Sequence, residues 1–318
     1  MNWTDSHSDV EWEQSVVRLN GHPLQSGLWG NARSMVDGIA QAKRICRSGD
    51  KIIAVARIET RKIPLGGKVA WIPRGPAVAF EEDADDVENS LRKDLKACGY
   101  RVVVTQSWRE HSGAAEDWSG PKTIWIDLSV GEETLWKNLN QQWRYGVGRA
   151  KREGVTVSQS LNEREIRSFF DLCSKISATK GFKIPGSLAL INELLKTSSN
   201  DSPMQCRFFV ASHQGKLGAG AIVMRCGDRL HYLWGGVERD LSKYRTGEAV
   251  QWAVIKWGLQ NGCTQYDLEG IDPRSNPGTY KFKKKMGGRV VAIVKPEVAA
   301  ASLFGHAIVP LIRQITKD

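Results

Sequence analysis

The order strand, glycine-containing turn, helix, glycine stop, strand occurs twice along this chain. In the first pass, Val69–Ile72 is a strand entering Pro73, Arg74, Gly75 and Pro76, residues 84–98 form an amphipathic helix, and Tyr100–Thr105 is the next strand. The helix starts with acidic residues, as its dipole prefers, and Gly99 ends it. In the second pass, Leu230–Trp234 runs into Gly235 and Gly236, Glu248–Gln260 is a helix ended by Asn261 and Gly262, and Gln265–Leu268 is a strand. The two stop glycines, Gly99 and Gly262, lie 163 positions apart. A chain alternating in this way folds as α/β with mixed sheets, and 318 residues are enough for two domains. No residue-level repeat accompanies the doubled order, so a duplicated fold is a hypothesis at this point.

The remaining segments fit the same frame. Residues 29–47 read as a helix followed by a turn at Ser48, Gly49 and Asp50, and Lys51–Ile58 reads as a strand. Phe208–Ala211 and Ala219–Met224 read as strands around the turn at Gln214 and Gly215. Between the halves, Trp136–Glu153 carries Lys137, Arg144, Arg149, Lys151 and Arg152 among Trp136, Trp143 and Tyr145. Helical spacing puts the aromatics on one side, which suits a basic helix joining two domains, with a junction near residue 145. The expected division is 1–145, 146–300 and a C-terminal helix over 301–318 packing back on the first domain.

Forty-five basic against 35 acidic residues give a net charge of +10, which favours a polyanionic partner: nucleic acid, a phosphorylated carrier or a membrane surface. A merely soluble basic protein is the plainer reading of the same charge. The six cysteines lack CxxC spacing, and most sit beside apolar residues, as reduced core residues do. The six histidines show no HExxH or paired spacing, so no metal and no cofactor is expected. GxSxG, P-loop and GxGxxG motifs are missing, which leaves hydrolase and dehydrogenase readings without support. The polar, acidic start and the lack of a long apolar run make the cytoplasm the expected location.

Five short segments, in order, resemble one family. Pro23, Leu24, Gln25 and Ser26, then Trp29 and the base Arg33, are similar to the "LQs…W…K" opening of the FemABX aminoacyl-tRNA-dependent peptidyltransferases, which build peptidoglycan interpeptide bridges. Ile72–Pro76 resembles the family's "Y-x-P-R-G-P" strand end. Trp143 and Arg144, followed by Arg149, Ala150, Glu153, Gly154 and Val155, resemble its linker. Tyr266–Gly270 resembles "YD-x-x-G", and Phe282, Lys283, Gly287 and Gly288 resemble "FK-x-x-F-G-G". Met286 replaces the aromatic before the glycine pair, and the long coiled-coil arm of some members is missing. The resemblance implies two tandem GNAT-like acyltransferase domains. The first would bind acceptor and carrier, and the second would hold the acyl donor and the catalytic lysine. The implied donor is aminoacyl-tRNA, and the implied acceptor is an amine of a UDP- or lipid-linked muramyl peptide. The inner face of the cytoplasmic membrane is then a possible working surface.

Aminolysis of an ester asks for positioning and for a charge aimed at the developing oxyanion, and a lysine ammonium suits the second need. The resemblance assigns that role to Lys283. If Tyr280–Met286 is extended, Lys281, Lys283 and Lys285 share one face and Phe282, Lys284 and Met286 the other. Phe282 would then anchor the strand while Lys284 and Lys285 lie beside nucleic-acid phosphate; a solvated basic run is the alternative. Arg144 and Arg149 are the other expected nucleic-acid contacts. Arg33 stands where the family has a lysine at the carrier diphosphate, a change that keeps the charge. Its alternative is an exposed helix base. Arg74, rigid between prolines, either contacts substrate or bonds its own turn. Tyr232 and Trp234 are expected to line the acceptor site or to pack, and Asp267 is a candidate general base or an ion-paired buried carboxylate.

Two rival functions remain. An acyl-CoA- or acyl-carrier-dependent N-acyltransferase would hold pyrophosphate at the helix after Tyr244–Ala249, yet Tyr244 stands where glutamine or arginine belongs, and Glu248 repels anions. A non-catalytic RNA- or phosphate-binding protein would treat Lys283 no differently from Lys284 or Lys285.

Overall fold

A computed structural model of the chain describes residues 1–63, 67–111, 118–180, 184, 186–300 and 309. One parallel strand pair with a crossing helix organises each of two units, Met1–Ser112 with Ile293–Asp318, and Gly113–Ala292.

The strands of the first unit are β1 (Asn2–Asp5), β2 (Ala40–Ser48), β3 (Lys51–Ile63), β4 (Gly67–Ile72), β5 (Ala77–Val78), β6 (Val102–Thr105) and, from the end of the chain, β14 (Glu297–Ala300). Its helices are α1 (Asp9–Arg18), α2 (Gly27–Asp37) and α3 (Ala84–Ala97). The sheet order is β1-β2-β3-β4-β6-β14, with β5 on β3. β4 and β6 are parallel and α3 crosses between them. One side of α3 buries Val87, Leu91 and Leu95 at helical spacing, each worth about 1.5–3 kcal/mol when removed from water. Gly99, at φ 85°, closes the helix, and the Tyr100 amide reaches back to the Leu95 carbonyl at 3.0 Å.

The helix expected over residues 29–47 is shorter. Ser26 caps α2, and Gly38 at φ 65° ends it, after which β2 begins. The physical reason is the two-residue turn at Gly49 and Asp50: a turn that tight requires β2 to run antiparallel beside β3.

The second unit contains β7 (Lys122–Asp127), β8 (Thr156–Gln159), β9 (Met204–His213), β10 (Lys216–Cys226), β11 (Arg229–Val237), β12 (Gln265–Asp267) and β13 (Arg289–Ala292). Its helices are α4 (Gly131–Asn138), α5 (Gln141–Arg152), α6 (Glu163–Lys180), α7 (Leu188–Thr197), α8 (Thr246–Gln260) and α9 (Pro277–Lys284). The sheet order is β13-β7-β12-β11-β10-β9-β8. β11 and β12 are the parallel pair, and α8 is the crossover. α8 is closed by Gly262 at φ 71° and by the Cys263 amide on the Gly258 carbonyl at 2.9 Å, the same bond pattern that ends α3. Trp143 of α5 and Tyr266 of β12 are fully buried in the core beneath α8.

The basic helix expected over Trp136–Glu153 to join the domains is broken at Leu139 and Asn140 into the end of α4 and α5, and both lie within the second unit, with α5 packed on α8. The chain passes between units at 112/113 and 292/293 rather than near residue 145, because β7 belongs to the second sheet and β14 to the first. The helix expected over 301–318 falls outside the described residues, apart from Val309. Five cysteines are buried and Cys98 is exposed, and none of the six is bridged. No helix among the described residues is long and apolar enough to cross a membrane.

Candidate functional site

The second sheet opens at one point. β11 pairs with β12 only from Arg229↔Gln265 to His231↔Asp267, while it stays paired with β10 as far as Val237↔Ala219. A bulge assists the opening: Val223 faces Tyr232 but Ile222 faces Trp234, so Leu233 is the extra residue. Beyond the last shared pair, one wall is Tyr232–Val237 and the other is the chain leaving β12 through Leu268, Glu269 and Gly270.

α9 brings Lys283 to this opening. The segment Tyr280–Met286 is therefore not extended, and the alternating faces expected for it do not form. Asn276 caps the helix and Pro277 occupies its first turn, two local start signals that override alternation. Lys283 is buried, with Nζ donating to the Gly270 carbonyl at 3.0 Å and more loosely to the Glu269 carbonyl at 3.4 Å. The ammonium also lies 5.5 Å from the Tyr232 ring centroid. Burial lowers its pKa to about 8, against the opposing pull of Glu269 and Asp267. An ammonium has three donors, and two of them are taken by these carbonyls.

Asp267 serves as a hub. It accepts from the Thr123 hydroxyl, from the Trp125 indole at 2.9 Å and from the Glu269 amide at 2.7 Å. Glu269 sits at φ 58°, a conformation that non-glycine residues adopt at a cost of about 1–3 kcal/mol. Its carboxylate meets His231 Nδ1 at 2.9 Å. Gln251 accepts from the Tyr266 hydroxyl at 2.7 Å and engages the Tyr232 hydroxyl, and burial raises the pKa of both phenols. A Cβ on Gly235 would lie 1.5 Å from the Tyr232 hydroxyl, so only glycine allows this approach.

Lys283, Asp267 and Tyr232 thus come together. Trp234 continues along the same strand, buried, with its ring against Gly186. Phe282 packs on Trp143 at 5.9 Å between ring centroids and lies near Gly247, on the core side of α9. Lys284 and Lys285 are exposed and line a cleft of about 380 Å³ with Asn138, Asn140, Tyr280, Lys281 and Gly287. No carboxylate among the described residues pairs with these three lysines; Lys285 donates to the Gln142 side chain at 2.9 Å. The Arg144 guanidinium is committed to the end of α4, bonding the carbonyls of Lys137 at 2.6 Å and Leu139 at 2.7 Å. Arg149 pairs with Glu153 at 3.3 Å one turn away.

Arg33 and Arg74 belong to the first unit. Arg33 pairs with Asp37 and lies 4.0 Å from Glu59, which is also bonded to the buried Arg57 at 2.9 Å. Arg74, at φ 56°, stacks its guanidinium 3.8 Å from the centroid of Trp108. The Gln25 side chain ties two of the sequence segments together, donating to the Pro73 carbonyl at 2.5 Å and accepting from the Arg57 amide at 2.7 Å. The sequence reading gave no individual role to Glu269, His231, Gln251 or Gln25, although Gln25 and Glu269 lie in the segments it singled out. For Glu269 and His231 the available signal was their place beside Asp267 and Tyr232.

The first turn of α8, where a nucleotide pyrophosphate would be expected to sit, holds Glu248. That carboxylate pairs with Arg245 at 3.2 Å and fills the space over Gly146, where a Cβ would come within 2.9 Å of it. Phe282 lies close to Gly247 on the same turn.

Residues 137–284 match the Acetyltransferase (GNAT) domain family. Over 163 residues the chain is 26% identical to a UDP-N-acetylmuramoylpentapeptide-lysine N(6)-alanyltransferase of Weissella viridescens, covering 48% of this chain and 47% of that protein. Over 76 residues it is 29% identical to a lipid II:glycine glycyltransferase of Staphylococcus saprophyticus, 22% of this chain and 18% of the relative. The chain thus spans about half or less of the length of the relatives it matches. In fold, the crystal structure of FemX superposes with a TM-score of 0.77 at 15% identity, covering 99% of this chain and 100% of that one. A tandem GNAT protein from the clavulanic acid biosynthesis pathway superposes at 0.51 and 12% identity, over 95% and 98% of the two chains. In sequence this chain is similar to an alanyltransferase and a glycyltransferase, its residues 137–284 match the Acetyltransferase (GNAT) domain family, and in fold it is similar to FemX.

Proposed function

We propose that the chain moves an aminoacyl group from aminoacyl-tRNA to an amine of a muramyl stem peptide, carried on a UDP or lipid diphosphate. The observation that carries this reading is Lys283, a buried ammonium at the opening between β11 and β12. A charge held in a site of low polarity stabilises an oxyanion far better than one in water, and losing a single such donor typically costs about 10²–10³ in rate. The relatives named as an alanyltransferase and a glycyltransferase support the same chemistry and the same acceptor class.

In this reading, the Tyr232 ring, itself engaged by Gln251, holds the lysine in place, and Asp267 fixes the loop whose carbonyls the lysine touches. Phe282 anchors α9 rather than meeting substrate. Lys281, Lys284 and Lys285, along one cleft with no carboxylate partner among the described residues, suit the phosphates of the donor RNA. Arg33 is assigned to the carrier diphosphate and Arg74 to a rigid substrate contact. The work is done in the cytoplasm, at the inner membrane surface when the carrier is a lipid.

The GNAT match also suits an acyl-CoA-dependent transferase. Glu248 in the first turn of α8 argues against a pyrophosphate there. Purified protein with labelled aminoacyl-tRNAs or acyl-CoAs and a UDP-muramyl pentapeptide separates the two. Label passing from tRNA to the peptide is the expected result; transfer from CoA alone would overturn the assignment.

A further inference from the structure

The amine that attacks the ester arrives as an ammonium at neutral pH and must lose a proton first. Lys283 cannot accept it while serving as a cation. Asp267 is poorly suited, because one of its oxygens already takes the Thr123 hydroxyl and the Glu269 amide, and the other takes the Trp125 indole. Next to it stands the pair of His231 and Glu269. His231 is the last residue of β11 to pair with β12, so its imidazole sits where the sheet opens. Glu269 is the first strained residue beyond β12, and its left-handed backbone directs the carboxylate onto His231 Nδ1 at 2.9 Å while its carbonyl receives Lys283. An imidazole oriented by a buried carboxylate is the arrangement that makes histidine a directed base.

We infer that His231, oriented by Glu269, is the base that takes the proton from the acceptor ammonium at the opening between β11 and β12. This rests on the aminoacyl-transfer reading above. The ammonium gives one proton to the imidazole, which passes it on to water. The freed nitrogen lone pair forms the C–N bond at the ester carbonyl, and the carbonyl electrons move to the oxygen facing Lys283. As the oxyanion collapses, the C–O bond to the ribose breaks. The second proton leaves the attacking nitrogen and ends on that ribose oxygen. One amide, one free ribose hydroxyl and one released proton balance the step. Within the second unit, the titratable groups around the pair are Asp267, whose nearer oxygen is 4.0 Å from Nδ1, Lys283, Tyr232 and Tyr266. His231 is thus assigned as a catalytic residue and Glu269 as its positioning residue.

The test measures kcat/KM against pH for the wild-type chain and for His231→Gln and Glu269→Gln, with aminoacyl-tRNA and a UDP-muramyl pentapeptide as substrates. His231→Gln is expected to lose about 10²–10⁴-fold at pH 7 and to regain rate relative to the wild type as pH rises, since the acceptor ammonium then loses its proton without help, while the loss of the Lys283 ammonium above about pH 8 affects both proteins alike. Glu269→Gln is expected to lose at least tenfold in kcat with both KM values unchanged. His231→Ala should recover part of its rate when imidazole is added, a readout that also serves if the glutamine variant folds poorly. Losses of the same factor at every pH, together with no imidazole rescue, would assign the pair to structure and overturn the inference. A folded wild type that moves no label from tRNA would overturn the transfer reading and this inference with it.

Discussion

Replacing Lys283 with methionine separates what the lysine does for the reaction from what it does to the fold. Burial brings its pKa from 10.5 to about 8, so holding the ammonium in place at pH 7 costs about 3 kcal/mol relative to a solvated lysine. Methionine fills nearly the same volume without a charge. It leaves the Glu269 and Gly270 carbonyls without that donor, at about 1 kcal/mol each. The balance at pH 7 is a variant more stable by about 1 kcal/mol, or about 2–4 °C in Tm for a unit of this size. The sign should then reverse with pH. Because the folded pKa lies below the unfolded one, the wild-type cost is complete below pH 8 and fades as pH rises toward 10.5. At that end the neutral lysine keeps its hydrogen bonds and the wild type becomes the more stable protein by about 2 kcal/mol. Urea unfolding of both proteins from pH 7 to 10.5 reads the crossover, and turnover at pH 7 should fall at least 100-fold in the same variant. A stability difference that does not move with pH, or a variant with near-full turnover, would refute the reasoning. The wild-type rate should itself decline above about pH 8, as the ammonium is lost.

Three further outcomes follow from the same geometry. Gly235→Ala should destabilise the second unit by about 1–3 kcal/mol in thermal unfolding and lower kcat, because the new Cβ displaces the Tyr232 ring against which Lys283 rests. Substituting Lys281, Lys284 and Lys285 together by alanine should weaken RNA binding and reduce the slope of log affinity against log salt by about 2, with unfolding unchanged; an unaltered slope in filter binding would remove the cleft from the RNA path. Arg144→Met should lower stability by about 1–3 kcal/mol, since its guanidinium covers the last carbonyls of α4, and should leave the salt slope of RNA binding as it was.

The doubled crossover was legible in the sequence because Gly99 and Gly262 mark helix ends that no other residue type makes so cheaply. The Fem-type segments were legible for a related reason, as turns and closures tolerate few residues. What escaped was decided by competition between signals. Alternation along Tyr280–Met286 suggested a strand, but the Asn276 cap and Pro277 start a helix, and a helix can bury Lys283 while leaving Lys281, Lys284 and Lys285 outside. The apolar and basic mixture of 29–47 suggested one helix, although the tight turn at Gly49 and Asp50 demands a strand before it. Glu269 could not be found by type alone, because its importance lies in a backbone angle and in a neighbour 38 positions away. Arg144 shows the converse: basic residues among aromatics look like a nucleic-acid surface until the carbonyls they cap are known.

The late return of β14 to the first sheet has a consequence for how the protein is made. Val102–Thr105 of β6 is paired with β4 on one side early in synthesis, but its other side waits for Glu297–Ala300. The second unit, from residue 113 to 292, is continuous, and its first and last strands lie side by side with Lys122 opposite Ala292. Its sheet can therefore be completed without β14, while an apolar strand edge of the first unit is still uncovered. The chain enters and leaves through adjacent positions as well, with Glu110 bridged to Ile293 and the Val294 amide on the Arg109 carbonyl. In topology the second unit is an insertion, and the sheet of the first unit is closed only by residues that follow it.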